Sequence, residues 1–287
     1  MLDRGHERGD RFRERADRCT LRWLLSNNGD GPPPLTGDSA GNHDPSSSND
    51  ASPGSGVARI VALLEILLCS GYPTQLALGG TFAAFVGAPV NARGALTVAY
   101  VVGVSLADSV LVIGLVLLFL IAHRERPRDV ILGREPIARE IAAGISFIFV
   151  ALGIAIVVLL AVQRFAPVLH TVQKNPLQEM LQSRRDASLF ALVVLVAGGI
   201  REEVQRAFIL HRFDQWLGGK TVGLIATSVA FGAGHYIQGL DAALATGLLG
   251  AFWGVVYLRR RSAVAPMVSH AGFDLLQIVQ YIVVRRA

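Results

Sequence analysis

The chain reads as an all-α, polytopic transmembrane helix bundle of about seven to eight spans behind a disordered amino-terminal tail. Three observations predict this. Hydrophobic residues make up 52% of 287 and gather in runs of 18 or more, the length that crosses roughly 30 Å of hydrocarbon at about 1.5 Å per residue. Composition changes abruptly near residue 57, from charged and Pro/Gly/Ser-rich to aliphatic. The ionisable residues left within the carboxy-terminal apolar runs fall in three tight groups, near 201–206, 235 and 270–274. A mean hydropathy of +0.45 exceeds what a soluble chain of this length needs to bury one core.

Residues 1–56 alternate Arg with Asp and Glu and then turn to Pro, Gly, Ser, Asn and Asp. Such a segment buries too little apolar surface to offset the entropy of ordering, and "LRWLLS" is too short for a secretory signal core. The spans are expected near 57–78, 95–122, 137–163, 188–212, 221–237, 241–258 and 263–284. Gly and Pro89 break 79–94, which reads as a re-entrant turn or a short eighth helix. The connection 123–139 carries Arg124, Arg126, Arg128, Arg134 and Arg139. The positive-inside rule places it, the tail and "LRRRS" on the cytoplasmic side, and "IQGLD" outside.

The net charge of +5 sits in the tail and loops and makes no basic, aromatic-laced face, so no nucleic-acid partner is implied. The partners expected are the lipid bilayer and a membrane-associated substrate. Cys19 and Cys69 form neither a disulfide framework nor a metal-spaced pair.

An ionisable group at the bilayer centre costs about 2.5–3.5 kcal/mol, so such residues turn inward and usually have a function. Glu202 lies four residues before Arg206, stacked on one helix face, and Glu203 lies three before it. His235 follows Phe231 by one turn in "FGAGHYIQG". His270 and Asp274 are again four apart. Each group alone has a structural reading: a neutralised ion pair, an interhelical hydrogen bond, a helix-internal pair. One polar cavity explains all three together. A carboxylate there can act as base on water, the histidines can stabilise an oxyanion, and Asp274 can orient His270. The alternative is zinc or another divalent metal held by Glu202, His235 and His270 with one position open. Either way the natural reaction is attack of water on an amide.

At these residues the sequence resembles the CPBP family of intramembrane proteases, the CAAX-processing and bacteriocin-processing endopeptidases that include lysostaphin resistance protein A-like members. The family's second motif, Phe-x-x-x-His, is met by Phe231 and His235, and its third, His-x-x-x-Asn/Asp, by His270 and Asp274. The first, Glu-Glu-x-x-x-Arg, is one residue short in "REEVQR". With Arg206 kept in place, Arg201 and Glu202 take the glutamate slots; with the glutamates kept, Ala207 takes the arginine slot. The resemblance spans about 185–287. It implies catalytic helices there, preceded by amino-terminal transmembrane helices over 57–184. It further implies a glutamate that activates water, two histidines that stabilise the oxyanion or bind metal, Arg206 and Phe231 in supporting roles, and a bacterial cell membrane. The terminus "IVVRRA" has no CaaX cysteine. Two rival classes remain: a non-catalytic immunity or scaffold protein of the same fold, favoured by the shortened motif, and a cation- or proton-coupled transporter, disfavoured because no inverted repeat is visible.

Overall fold

The computed structural model describes residues 53–284 except 86, 93 and 174. The tail up to residue 52 lies outside the described residues. Among the described residues regular structure is helical throughout, and the one β contact is an isolated bridge between Val90 and Leu96.

Helices α1 (Pro53–Cys69) and α2 (Tyr72–Phe85) replace the single span expected over 57–78. The chain bends at Ser70–Gly71, where Gly71 has φ +83°, a conformation that costs glycine nothing sterically. Ser70 Oγ donates to the Leu67 carbonyl at 2.7 Å and closes α1. Thr74 Oγ1 lies 3.0 Å from the Gly71 carbonyl in the first turn of α2. Both halves are apolar, so periodicity alone does not register the bend. Because α2 runs to Phe85, the first part of 79–94 is helical and only the remainder is irregular.

α3 (Val98–Ala122) leads to the basic connection, which holds the short α4 (Pro127–Ile131), and then α5 (Ile137–Phe165). The next connection contains α6 (Pro176–Glu179). α7 (Arg184–Val193) starts at a capping box of Ser183 and Asp186, which satisfies two of the helix's otherwise unpaired amides. It continues without a break through a wide π-helical stretch, Val194–Arg201, into α8 (Glu202–Trp216). One rod thus covers the span expected at 188–212 and extends beyond both its ends. α9 (Gly219–Gly234), α10 (Leu240–Arg260) and α11 (Val264–Val284) complete the fold.

Among the described residues four helical stretches are long and apolar enough to cross a membrane: Gly56–Phe85 taken across its bend, Val98–Ala122, Ile137–Phe165 and Leu240–Arg260. Their outward residues, among them Leu118, Phe149, Val157 and Leu160, are large, apolar and exposed, which suits lipid contact. The chain is an integral membrane protein.

The α5–α11 and α9–α10 pairs pack most extensively, and α11 also lies along the π-helical stretch. At one end of the bundle the two basic connections meet: Ala263 N donates to the Ile131 carbonyl at 2.8 Å, and Arg260 pairs with buried Glu140 at 2.7 Å. A buried clasp lies nearby. Arg212 of α8 binds Glu65 of α1 at 2.6 Å and Glu125 at 2.7 Å, while His123 and His211 contact those same two carboxylates. At the other end His170 meets Asp241 at 2.7 Å, and Asn175 donates to Gln238 at 3.0 Å.

Candidate active site

The two glycines before the motif explain how its parts meet. A Cβ on Gly199 would sit 2.6 Å from the Ala271 Cβ, and one on Gly198 would sit 2.8 Å from Asp274 Oδ2. Bare backbone therefore lets α11 lie directly against the π-helical stretch. That stretch also resets the rotational phase of everything after it, because a π turn holds more residues than an α turn.

Glu203 is buried, with its side chain 1% exposed. It pairs with Arg206 and accepts from His270 Nδ1 at 2.8 Å. The Arg206 guanidinium in turn lies 4.5 Å from the Phe231 ring centroid and 5.8 Å from that of Trp253. The stacking expected between Glu202 and Arg206 does not form. Glu203 and Arg206 share the face turned towards Phe231, Trp253 and His270, and this three-residue spacing supplies the ion pair instead.

Glu202 keeps 22% of its side chain exposed, with Oε2 3.9 Å from His270 Nε2. The His270 ring is stacked on Trp253, centroids 3.9 Å apart and planes 20° from parallel. Asp274 Oδ2 lies 3.6 Å from His270 Nε2, beyond hydrogen-bond range. Glu203 holds the ring by a hydrogen bond to Nδ1, and Asp274, which the spacing pairs with His270, stands beside Nε2 without one. His235 stands just past the last turn of α9 rather than within a span, and its Nδ1 donates to the Phe231 carbonyl at 2.8 Å. The Phe231 ring bridges the two histidines, 4.8 Å from His235 and 5.8 Å from His270.

A cavity of about 300 Å³ is lined by Arg201, Glu202, His235, Trp253, His270 and Asp274 among others. A second, of about 400 Å³, shares Gln75, Arg201, Glu202 and His235 with it and runs between the α1–α2 bend and α9. All three motif groups thus converge on one polar space. Residues 184–276 match the family described as type II CAAX prenyl endopeptidase Rce1-like. This segment is similar to the CAAX protease family. No curated protein and no solved structure matches the chain.

Every residue singled out from the sequence, from Glu202 to Asp274, lies within the Rce1-like segment. Two that the sequence reading missed now join them. Trp253, which forms the floor under His270, carried no signal, since a lone tryptophan in an apolar helix is ordinary core. Asp108 lies on α3, outside the matched segment, and ion-pairs with Arg201. As an acid inside an apolar run it was visible, but its partner is 93 residues away.

Zinc needs donors near 2.0–2.2 Å. His270 gives Nδ1 to Glu203 and His235 gives Nδ1 to a carbonyl, which leaves Nε2 of each ring as the atom that would meet a metal. Among the described residues no three His, Cys, Asp or Glu side chains form a group that could hold a metal ion.

Proposed function

We propose that the chain is an intramembrane endopeptidase, in a bundle of seven to eight spans, that hydrolyses a peptide bond of a membrane-associated protein or peptide. The observation that carries this reading is the division of labour between adjacent carboxylates. Glu203 is locked between Arg206 and His270, while Glu202 faces the cavity within reach of His270. Glu202 takes a proton from water, and the water oxygen bonds to the substrate carbonyl carbon. The oxyanion that develops receives hydrogen bonds from His270 Nε2 and His235 Nε2, each ring being held through its Nδ1. A histidine donates from Nε2 here only as the imidazolium, because Nδ1 already carries a proton. The C–N bond then breaks and the proton passes to the leaving amine, giving one carboxylate and one amine.

No step is routed through a metal. The similarity to type II CAAX prenyl endopeptidases makes a prenylated CaaX tail the first substrate to try, beside unmodified transmembrane peptides. The non-catalytic reading is favoured by one feature, the three-residue spacing of Glu203 and Arg206. The deciding experiment is cleavage of a membrane-peptide library by purified chain, with Glu202→Gln as control and a chelator in a parallel arm. Cleavage lost in Glu202→Gln and kept with chelator is the expected result. No cleavage by the wild-type chain across prenylated and plain peptides would favour the scaffold role. Loss with chelator and return on adding zinc would restore the metal.

A further inference from the structure

Arg201 is a cation beside the proposed base, and it is restrained from hydrogen-bonding it. Its Nη1 lies 3.7 Å from Glu202 Oε1, a long ion-pair contact beyond hydrogen-bond range. Nη2 is taken by Asp108, and Nη1 donates to Gln205 Oε1 at 3.1 Å. Asp108 is wholly buried and Arg201 nearly so. Thr74 Oγ1 donates to one oxygen of Asp108, and Gln75 Nε2 donates to the other at 3.3 Å. The bend at Gly71 brings these donors in: a Cβ there would lie 3.6 Å from Arg201 Nη2. Three helices thus build a polar seat for one guanidinium. Two of them, α2 and α3, lie outside the Rce1-like segment.

We propose that Asp108, supported by Thr74 and Gln75, is a positioning residue that holds Arg201 off Glu202 and so keeps the carboxylate free to activate water. This rests on the reading of Glu202 as the base. An arginine deprived of its carboxylate in a dry site is attracted to the next one available, since charge pairs strengthen as the dielectric falls. Glu202, already 3.7 Å away, is that next carboxylate, and once it closes to a hydrogen bond it no longer faces the cavity. The amino-terminal helices therefore complete the active site without contributing a group that touches substrate.

The test is a reversal that a merely structural role would not give. Asp108→Asn should lower kcat on the order of 10–100-fold, the usual scale for a supporting partner, with KM unchanged. Adding Arg201→Gln to it should bring kcat back to within a few-fold of wild type, because the competing cation is gone. Gln205→Met, which frees Nη1 without touching the buried pair, should lower kcat several-fold and serves if Asp108→Asn fails to fold. A second readout needs no turnover: modification of Glu202 by dicyclohexylcarbodiimide, read by mass spectrometry. Labelling should fall in Asp108→Asn and in Gln205→Met, and return in the double variant. Equal labelling of Glu202 in wild type, Asp108→Asn and Gln205→Met would overturn the clasp whatever the activity. A folded double variant as inactive and as unlabelled as Asp108→Asn would do the same. Full cleavage by Glu202→Gln would instead sink the assignment of the base and leave the labelling to judge the clasp.

Discussion

Adjacent glutamates in one helical turn meet opposite fates here, and substitutions should separate them. Glu202→Gln removes the cavity-facing carboxylate while keeping its shape. Turnover should drop about 10²–10⁴-fold, the range for loss of a general base, with the melting temperature in detergent unchanged. Glu203→Gln leaves buried Arg206 without its counter-charge, a loss on the order of 3–5 kcal/mol. Its melting temperature should fall clearly, and activity with it. A stable but inactive Glu203→Gln beside an active Glu202→Gln would exchange the two roles. Asp274 sits 3.6 Å from His270 and does not hold the ring. Asp274→Asn should therefore be near wild type, and Asp274→Leu should lose no more than about 10-fold, the low end for a supporting carboxylate.

Among the elements, the contact of α11 with the π-helical stretch is the most sensitive. Gly199→Ala places a methyl 2.6 Å from the Ala271 Cβ, so α11 must back away and take His270 with it. Misplacement of about 1 Å is worth about 10²-fold in rate, so kcat should fall steeply while insertion and expression are retained. Wild-type kcat in this variant would show that the helices have slack there. The clasp at the basic end depends instead on pH. Burial opposes charge on Glu125, but hydrogen bonds from Gln215, Arg212 and His211 and the Arg212 charge outweigh it and hold its carboxyl below the usual carboxylate range. A depressed native pKa adds stability that is present above the unfolded value and lost as pH falls through the native one. Thermal stability should therefore drop on acidification through and below the ordinary carboxylate range. That drop should be smaller in Glu125→Gln, measured by melting temperature against pH.

For the whole molecule, the helix ends and the charges set an orientation. Connections 123–139 and 258–263 carry eight arginines and meet at one end. Connections 86–97, 164–187 and 235–239 carry five lysines and arginines. The active-site cavity is lined by Asn175, Gln178 and Gln238, all from the less basic side. The positive-inside rule then predicts a cavity turned away from the cytoplasm. In a Cys19→Ser background, Gln178→Cys should react with an impermeant maleimide added outside intact cells. Arg128→Cys should react only after permeabilisation. The reverse pattern would place the cavity on the cytoplasmic side.

By itself the sequence determined the class of the molecule and the candidates for its site. Runs of apolar residues long enough for a bilayer, and charges too costly to bury idly, are local features that any window of the chain displays. Glu202, Glu203, His235 and His270 were legible for that reason, as were the boundaries of most helices. Tertiary structure alone decided what each group touches. Which glutamate faces water follows from the phase of a π-helical stretch and from the face that α11 covers, and the spacing of Glu202 and Arg206 pointed to the wrong ion pair. The seat of Arg201 joins residues 74, 75, 108 and 201, and the bend at Gly71 that builds it lies between two equally apolar helices. Local periodicity records which face of a helix is buried. It does not record what that face is buried against.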